Sequence, residues 1–235
     1  MRYCFERDPM FLGCLYLLFF VQILGCFSCE GTHTSTRNAL MESARNHYPI
    51  IFLEDIKDRD CFLRVKGGLN FDRKVYFDKE SRQYVKIWSK NYAYAPCFME
   101  AVNKSFFEGI APIKYIIFDK QFFCRGYITT ALNDFQAVQN NLVILNGRIL
   151  SISRQNDAFK IFFEHLKMKI LATKLIYLDL TPANVCYDGS NYYLVDLEAV
   201  FNVARCKKNF LDFKHSLLCN PPEYIVFVNH FLKKS

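Results

Sequence analysis

The sequence contains no internal repeat, no low-complexity block and, beyond Ser28, no C-x-x-C pair. The missing repeats exclude a repeat array, and the missing cysteine pairs argue against a structural zinc site. Core-forming residues are not lacking, since 51% of the 235 residues are apolar and 17% are aromatic. This composition excludes a disordered chain and predicts one large domain or two small lobes.

The basic residues do not form a cluster or a stripe. The formal net charge is +7, but lysines and arginines are scattered along the whole chain. A nucleic-acid-binding surface concentrates such residues on one face. The charge therefore indicates a solvated basic surface, and we expect no nucleic-acid partner.

One apolar run, over residues 10–26, follows the basic residues Arg2 and Arg7, and its only polar residue is Gln22. The run is short for a membrane span, which needs about 20 apolar residues, and is near the upper length of a signal-peptide core. Small residues near position 28 suit cleavage. The alternative is an uncleaved signal anchor, with residues 10–26 in the membrane. Either reading predicts the secretory pathway: the ER or Golgi lumen, or secretion.

The cysteines agree with that compartment. Seven of the ten cysteines follow Ser28, a density typical of an oxidising environment, where disulfide bonds form. An odd number leaves at least one thiol free or paired between chains. Asn103-Lys104-Ser105 is an N-glycosylation sequon, which predicts a glycoprotein if it is used.

The rest of the chain predicts a mixed α+β fold. Residues 29–49 are polar and indicate a spacer. Short runs of β-branched and aromatic residues then predict strands: CFLRVK, RKVYF and QYVKIW, followed by residues 114–118 and 121–128. Helical periodicity predicts helices over residues 96–109 and 157–174.

The strongest motif lies in residues 176–201, IYLDLTPANVCYDGSNYYLVDLEAVF. Asp179 precedes Asn184 by five residues, a predicted hairpin follows over residues 185–195, and Asp196 comes directly after it. This pattern resembles the catalytic loop and metal-binding segment of the protein-kinase superfamily. The resemblance implies that Asp179 is catalytic and that Asn184 and Asp196 bind Mg²⁺ or Mn²⁺. The alternative is a hairpin flanked by turn-forming Asp and Asn residues.

Phosphoryl transfer explains why these residue types occur at this spacing. The reaction needs a carboxylate beside the attacking hydroxyl and hard oxygen ligands for the metal at the ATP phosphates. A loop with Asp179 and Asn184 can supply both, and the hairpin returns the chain so that Asp196 reaches the same metal.

The same resemblance assigns upstream residues to an ATP site. Lys86, in a strand of the V-A-I-K type, would contact the ATP phosphates, and Glu100 on the next helix would be its ion-pair partner. Glu108 is the alternative partner, although it falls at the predicted helix end. Gly67 and Gly68 are what remains of a glycine-rich phosphate loop. Taken alone, Lys86 would be interpreted as a surface strand lysine.

The sequence also departs from the kinase pattern. The H-R-D triplet is Tyr177-Leu178-Asp179, and D-F-G is Asp196-Leu197-Glu198. A carboxylate at position 198 is more similar to small-molecule kinases of the aminoglycoside and choline type. Pro221-Pro222-Glu223 is a counterpart of A-P-E. The resemblance thus implies a two-lobe kinase-like fold, with a β-rich N-lobe over residues 50–130 and a shortened C-lobe over residues 131–235.

Within the superfamily, the secretory signal and the decayed glycine loop resemble the divergent protein kinase domain family of the secretory pathway. The resemblance implies transfer of the ATP γ-phosphate to a protein or glycan hydroxyl. Two alternatives stay open: a pseudokinase acting as a luminal or secreted binding module, and a small-molecule kinase. Because Cys206 and Cys219 flank the segment after Asp196, we also predict a disulfide between them.

Overall fold

A computed structural model describes residues 30–56, 62–64, 73–132, 142–145, 148–152, 157–181, 184–208, 217–218 and 220–235. The chain divides into two compact units, residues 1–39 and 40–235, and of the first only the start of a helix is described. The apolar run over residues 10–26, predicted as signal peptide or anchor, lies outside the described residues. Among the helices that are described, none is long and apolar enough to span a membrane.

The described residues form a mixed α+β structure, which confirms the predicted class. The helices are α1 (Glu30–Arg45), α2 (Ala95–Asn103), α3 (Asp157–Thr173), α4 (Val203–Lys208) and α5 (Pro222–Lys234). The strands are β1 (Ile50–Phe52), β2 (Phe62–Arg64), β3 (Arg73–Asp78), β4 (Gln83–Trp88), β5 (Ile113–Phe118), β6 (Cys124–Thr130), β7 (Leu142–Leu145), β8 (Arg148–Ile152), β9 (Leu175–Tyr177), β10 (Val185–Tyr187), β11 (Tyr192–Leu194) and β12 (Val200–Asn202).

Six strands form one sheet in the order β1-β5-β6-β4-β3-β2. β1 runs parallel to β5, and the other neighbouring pairs are antiparallel. Within this sheet β4 lies between β3 and β6, with Lys86 opposite Val75 on one side and Tyr127 on the other. A central strand is held by ladder hydrogen bonds on both edges, so the backbone at Lys86 is firmly placed.

Aromatic rings pack α2 onto the sheet. The ring centroid of Phe98 on α2 lies 5.0 Å from that of Trp88 on β4 and 5.1 Å from that of Tyr127 on β6. All three side chains are buried. Large buried rings contribute strongly to a core because each removes much apolar surface from water, and this cluster therefore joins α2 to β4 and β6.

The second half of the chain is built around α3. Its apolar residues recur at helical spacing and all are buried: Phe159, Phe162, Phe163, Leu166 and Ile170. The Tyr224 hydroxyl of α5 donates a hydrogen bond of 2.5 Å to the carbonyl oxygen of Tyr177 at the end of β9. The C-terminal helix is thereby joined to the segment that leads into the Asp179 loop.

Three differences from the sequence predictions have local causes. The predicted spacer contains α1, whose last turn buries Met41 and Ala44. The helix predicted over residues 96–109 ends at Asn103, because the backbone turns to positive φ at Ser105 and again at Gly109. The β7–β8 hairpin was missed altogether.

Candidate functional site

The Asp179 loop and the following hairpin meet at a common end. β10 and β11 pair antiparallel, Val185 with Leu194 and Tyr187 with Tyr192, as the sequence predicted. The Val195 N–H then donates to the Asn184 carbonyl oxygen at 3.1 Å, which continues the pairing by one step. Asn184 and Asp196 therefore lie at the open end of one hairpin, since Asp196 directly follows Val195.

Backbone clamps on both sides hold Asp179. The buried Asn220, 2% exposed, accepts a hydrogen bond of 2.6 Å from the Leu180 N–H and donates one of 2.9 Å to the Leu178 carbonyl. The Leu178 N–H donates to the Ala199 carbonyl at 2.8 Å. Both peptide units that flank Asp179 are fixed in this way, through atoms other than the Asp179 carboxylate.

Asn184 is tied to the same loop. Its side-chain Nδ2 donates to the carbonyl oxygen of Asp179 at 3.0 Å, and Asn184 is almost fully buried. The amide nitrogen is committed to this bond, so the amide oxygen is the atom through which Asn184 would bind a cation. The structure thus brings Asp179 and Asn184 together.

Lys86 lies at the centre of the ionic contacts. Its Nζ is 2.7 Å from Oδ1 of Asp196, and 2.7 Å and 2.8 Å from Oε1 and Oε2 of Glu198. The residue is 8% exposed. The interpretation of Lys86 as a surface strand lysine is therefore wrong, and this side chain joins the sheet to the segment after the hairpin.

Glu198 is the most enclosed carboxylate of the group. Besides Lys86, it accepts a hydrogen bond of 3.0 Å from Trp88 Nε1 and one of 3.3 Å from the Tyr127 hydroxyl. Burial, opposed by the charge of Lys86 and assisted by the Asp196 carboxylate, raises the pKa of Glu198 to about 7. The sequence analysis noted this residue only as a departure from D-F-G and gave it no contact.

Asp196 is held by its backbone and remains partly open. The Tyr177 hydroxyl donates to its carbonyl oxygen at 2.7 Å, while its side chain is 28% exposed. Burial raises the pKa of the Tyr177 phenol well above its usual value, and the carboxylates of Asp196, Asp179 and Glu198 add to the shift. The Tyr177 phenol is therefore exposed to the negative charge of three acidic side chains, those of Asp196, Asp179 and Glu198.

The predicted ion pair between Lys86 and Glu100 is not formed. Glu100 instead accepts hydrogen bonds from Lys104 Nζ at 2.8 Å and from Asn202 Nδ2 at 3.1 Å. Its register on α2 directs it toward β12, and Glu198 occupies the position beside Lys86. Glu108, the alternative partner, lies 2.9 Å from Nδ1 of His47. Both assignments are corrected by the structure.

Gly126 lets β6 approach Lys86. This glycine has φ +140°, and a Cβ placed on it would lie 1.8 Å from the carbonyl oxygen of Lys86. No L-residue fits such a position without displacing the strand. Gly126, Tyr127 and Asn220 are residues that the motif search missed, because their roles depend on contacts that no local sequence pattern encodes.

The side chains of the candidate site include few donors for a metal ion. No group of three or more His, Cys, Asp or Glu side chains in the described part of the chain is arranged to hold a metal ion. Asn184 and Asp196 supply two oxygen donors at one hairpin end, which suits Mg²⁺ or Mn²⁺ if phosphate oxygens and water complete the shell. Gly67 and Gly68 lie outside the described residues.

The predicted disulfide between Cys206 and Cys219 is wrong in this structure. Cys206 is a buried free thiol, as are Cys97, Cys124 and Cys186, and Cys219 lies outside the described residues. Burial raises the pKa of Cys206 to about 12. A thiol that is both enclosed and protonated is a poor partner for exchange.

Comparison of the sequence with models of protein families finds no match, and comparison with curated proteins finds none either.

Proposed function

We propose that the chain is a divergent, kinase-like phosphotransferase of the secretory pathway that uses ATP with Mg²⁺ or Mn²⁺. One observation carries the proposal: Lys86 and Asp196, separated by 110 positions in the sequence, lie 2.7 Å apart. The resemblance assigned Lys86 to the ATP phosphates and Asp196 to their metal, two roles that require the side chains to lie close together, as they do.

Each residue of the group then has a role. Lys86 would bind ATP phosphate oxygens, and Asn184 and Asp196 would hold the metal, which neutralises phosphate charge when bound. Asp179 would accept a hydrogen bond from the acceptor hydroxyl and take up its proton as the oxygen attacks. The six-stranded sheet with α2 would be the N-lobe, and the segments around α3 and α5 a shortened C-lobe.

The proposed acceptor is a hydroxyl of a protein or glycan. The support is the sequence alone: a signal-like run over residues 10–26 and seven cysteines beyond Ser28 predict a luminal or secreted protein. In that compartment protein and glycan hydroxyls are the abundant acceptors. A small-molecule kinase fits a luminal or secreted location less well.

A second candidate function is a pseudokinase that acts as a luminal or secreted binding module. The observation in its favour is that Lys86 and Asp196 already satisfy each other, so nucleotide would have to displace an existing ion pair. Loss of an intact glycine-rich loop agrees with this alternative.

A thermal-shift measurement with ATP, with and without Mg²⁺ or Mn²⁺, separates the two functions. We expect wild type to gain stability only when nucleotide and metal are both present, because ligand that binds only the folded state stabilises it. Asp196→Ala should lose the shift, while Asp157→Ala, a change at an exposed carboxylate on α3, should keep it. No shift in wild type under any metal condition would leave the binding module as the function.

Asp179→Ala completes the test of the transfer step. Because the flanking peptides are held by Asn220 and Ala199, this variant should fold and bind ATP like wild type. Its transfer of phosphate to a luminal protein or glycan mixture should fall about 100-fold or more, the contribution of a positioned base. Undiminished transfer would remove Asp179 from the mechanism.

A further inference from the structure

We infer that Glu198, and not a glutamate of helix α2, is the residue that positions Lys86 for nucleotide, so that the lysine is held independently of α2. The role in nucleotide binding rests on the proposed function. The pairing itself rests on contacts among the described residues and can be tested without any ligand.

The first observation is that Glu198 is bound through both oxygens. Oε1 accepts from Trp88 and Oε2 from Tyr127, and Lys86 lies within 2.8 Å of each. The residue is 4% exposed. Charge-assisted bonds are strong when water is excluded, and a carboxylate with this many donors has one orientation.

The second observation is that Glu100 accepts hydrogen bonds from residues other than Lys86. Its two oxygens bind Lys104 and Asn202, and its side chain is 31% exposed. Lys104 belongs to the turn that follows α2, and Asn202 ends β12. For Glu100 to reach Lys86, it would have to break both bonds while Glu198 left a buried site.

The third observation is that the residues contacting the Lys86–Glu198 ion pair belong to the sheet and to the turn after Asp196. Trp88 and Lys86 belong to β4, Tyr127 belongs to β6, and Glu198 lies in the turn after Asp196. The Tyr127 hydroxyl also accepts a hydrogen bond of 3.2 Å from the Leu197 N–H. Helix α2 contacts this group through the ring of Phe98, and supplies no charge to it. A displacement of α2 would therefore break no hydrogen bond or ion pair of Lys86 and Glu198, although it would change the packing of Phe98 on Trp88 and Tyr127.

A double-mutant cycle on unfolding tests the pairing without nucleotide. Lys86→Met and Glu198→Gln should each lower the unfolding midpoint, because each removes a charged partner from a buried ionic contact, and the double variant should lose less than the sum of the two. The matched cycle of Lys86→Met with Glu100→Gln should be additive. If Glu198→Gln alone does not fold, recovery of folding in the double variant with Lys86→Met is the expected result.

Acylation of Lys86 by a water-soluble amine-reactive ester, mapped by mass spectrometry, gives a readout that a general structural role would not move. Glu198→Gln should increase the rate of Lys86 acylation severalfold relative to the other lysines of the same chain. Glu100→Gln should leave that rate unchanged. An increase in the Glu100 variant alone would overturn the inference.

Nucleotide binding then tests the functional role. At pH 8, Glu198→Gln should bind ATP with metal at least about tenfold more weakly, the loss that one charge-assisted hydrogen bond corresponds to. Glu100→Gln should stay within about twofold of wild type, which is below the weakest effect of such a bond. The reverse order of effects would overturn the inference. If wild type binds no nucleotide, the proposed function fails, while the cycle and the acylation still decide whether Glu198 or Glu100 holds Lys86.

Discussion

The two halves of the candidate site are fixed by different forces. On the sheet side, Lys86 is placed by a buried ionic group with Asp196 and Glu198. On the loop side, the peptide units on either side of Asp179 are placed by hydrogen bonds to the Asn220 side chain, and the Leu178 N–H donates to the Ala199 carbonyl. The first arrangement is sensitive to charge and pH, whereas the second depends on shape and on hydrogen-bond geometry.

This difference has a consequence for variants. Removing one member of the ionic group takes a charged partner from a largely buried contact, which affects both stability and ligand binding. Removing a backbone clamp misplaces the Asp179 loop while the Lys86 group stays assembled. Substitutions on the sheet side should therefore alter stability and ligand binding, whereas substitutions on the loop side should alter the position of the Asp179 loop.

The largest effect is expected on the sheet side from Gly126→Ala. The new Cβ would lie 1.8 Å from the Lys86 carbonyl at a backbone φ of +140°, so β4 and β6 would have to separate. We expect a loss of unfolding free energy above about 4 kcal/mol, typical of strain in a packed core, measured by urea denaturation. Gly189→Ala is the control, since it has φ +100° with no atom within 4 Å, and should cost about 1 kcal/mol. Equal costs would mean that the strand contact is unimportant.

A smaller effect is expected on the loop side from Asn220→Ala. It leaves the buried Leu180 N–H and Leu178 carbonyl without their partner. Each unsatisfied buried group costs about 1–3 kcal/mol, so the loss of unfolding free energy for the two groups should be about 2–6 kcal/mol. Hydrogen exchange should show the Leu180 amide opening while amides of β4 stay protected.

The matched control for Asn220→Ala is Asn191→Ala, in the exposed turn of the β10–β11 hairpin. A surface change of this kind should stay within about 0.5 kcal/mol of wild type. Protection of Leu180 that is unchanged in Asn220→Ala would show that the loop does not need the clamp.

The sequence predicts the sheet side and the loop side to different extents. Short runs of β-branched and aromatic residues were sufficient for β3 and β4, and helical periodicity was sufficient for α3, whose apolar residues recur along one face. The Asp179–Asn184 spacing and the hairpin were also predicted, since both are local. The partner of Lys86 was not, because Glu100 and Glu198 are equally good carboxylates in sequence, and only the relative placement of α2 and the turn after Asp196 separates them.

The same limit applies to the helix boundaries and to the clamp. The end of α2 at Asn103 follows from the positive φ of Ser105. Positive φ is uncommon for residues other than glycine, so a serine in the sequence does not predict it. Asn220 lies 40 positions beyond Leu180, directly before Pro221-Pro222-Glu223, which the sequence analysis interpreted only as a counterpart of A-P-E. Long-range hydrogen bonds of this kind have no periodic signature.

The smallest effect is expected in the pH dependence of stability, which should differ between Glu198 and Glu100. Burial raises the pKa of Glu198 from its usual value near 4.5 to about 7, so between these values the folded state holds a proton that the unfolded state has lost. The stability that Glu198 contributes is therefore fully present below about pH 4.5 and is lost as pH rises through about 7. For Glu100 burial also raises the pKa, but the hydrogen bonds from Lys104 and Asn202 outweigh it, so the net shift is downward. Its contribution is present above the unfolded value and is lost as pH falls.

Urea unfolding in EDTA across pH 3 to 8 measures both contributions, with Glu198→Gln and Glu100→Gln as the references. From pH 5 to 7.5, wild type should lose stability relative to Glu198→Gln, with a slope of at most about 1.4 kcal/mol per pH unit for one proton. Relative to Glu100→Gln, wild type should lose stability only as the pH falls below the range in which glutamate ionises. Slopes of the same sign for the two glutamates would contradict the assignment of one carboxylate to the buried ionic group and the other to a partly exposed helix contact.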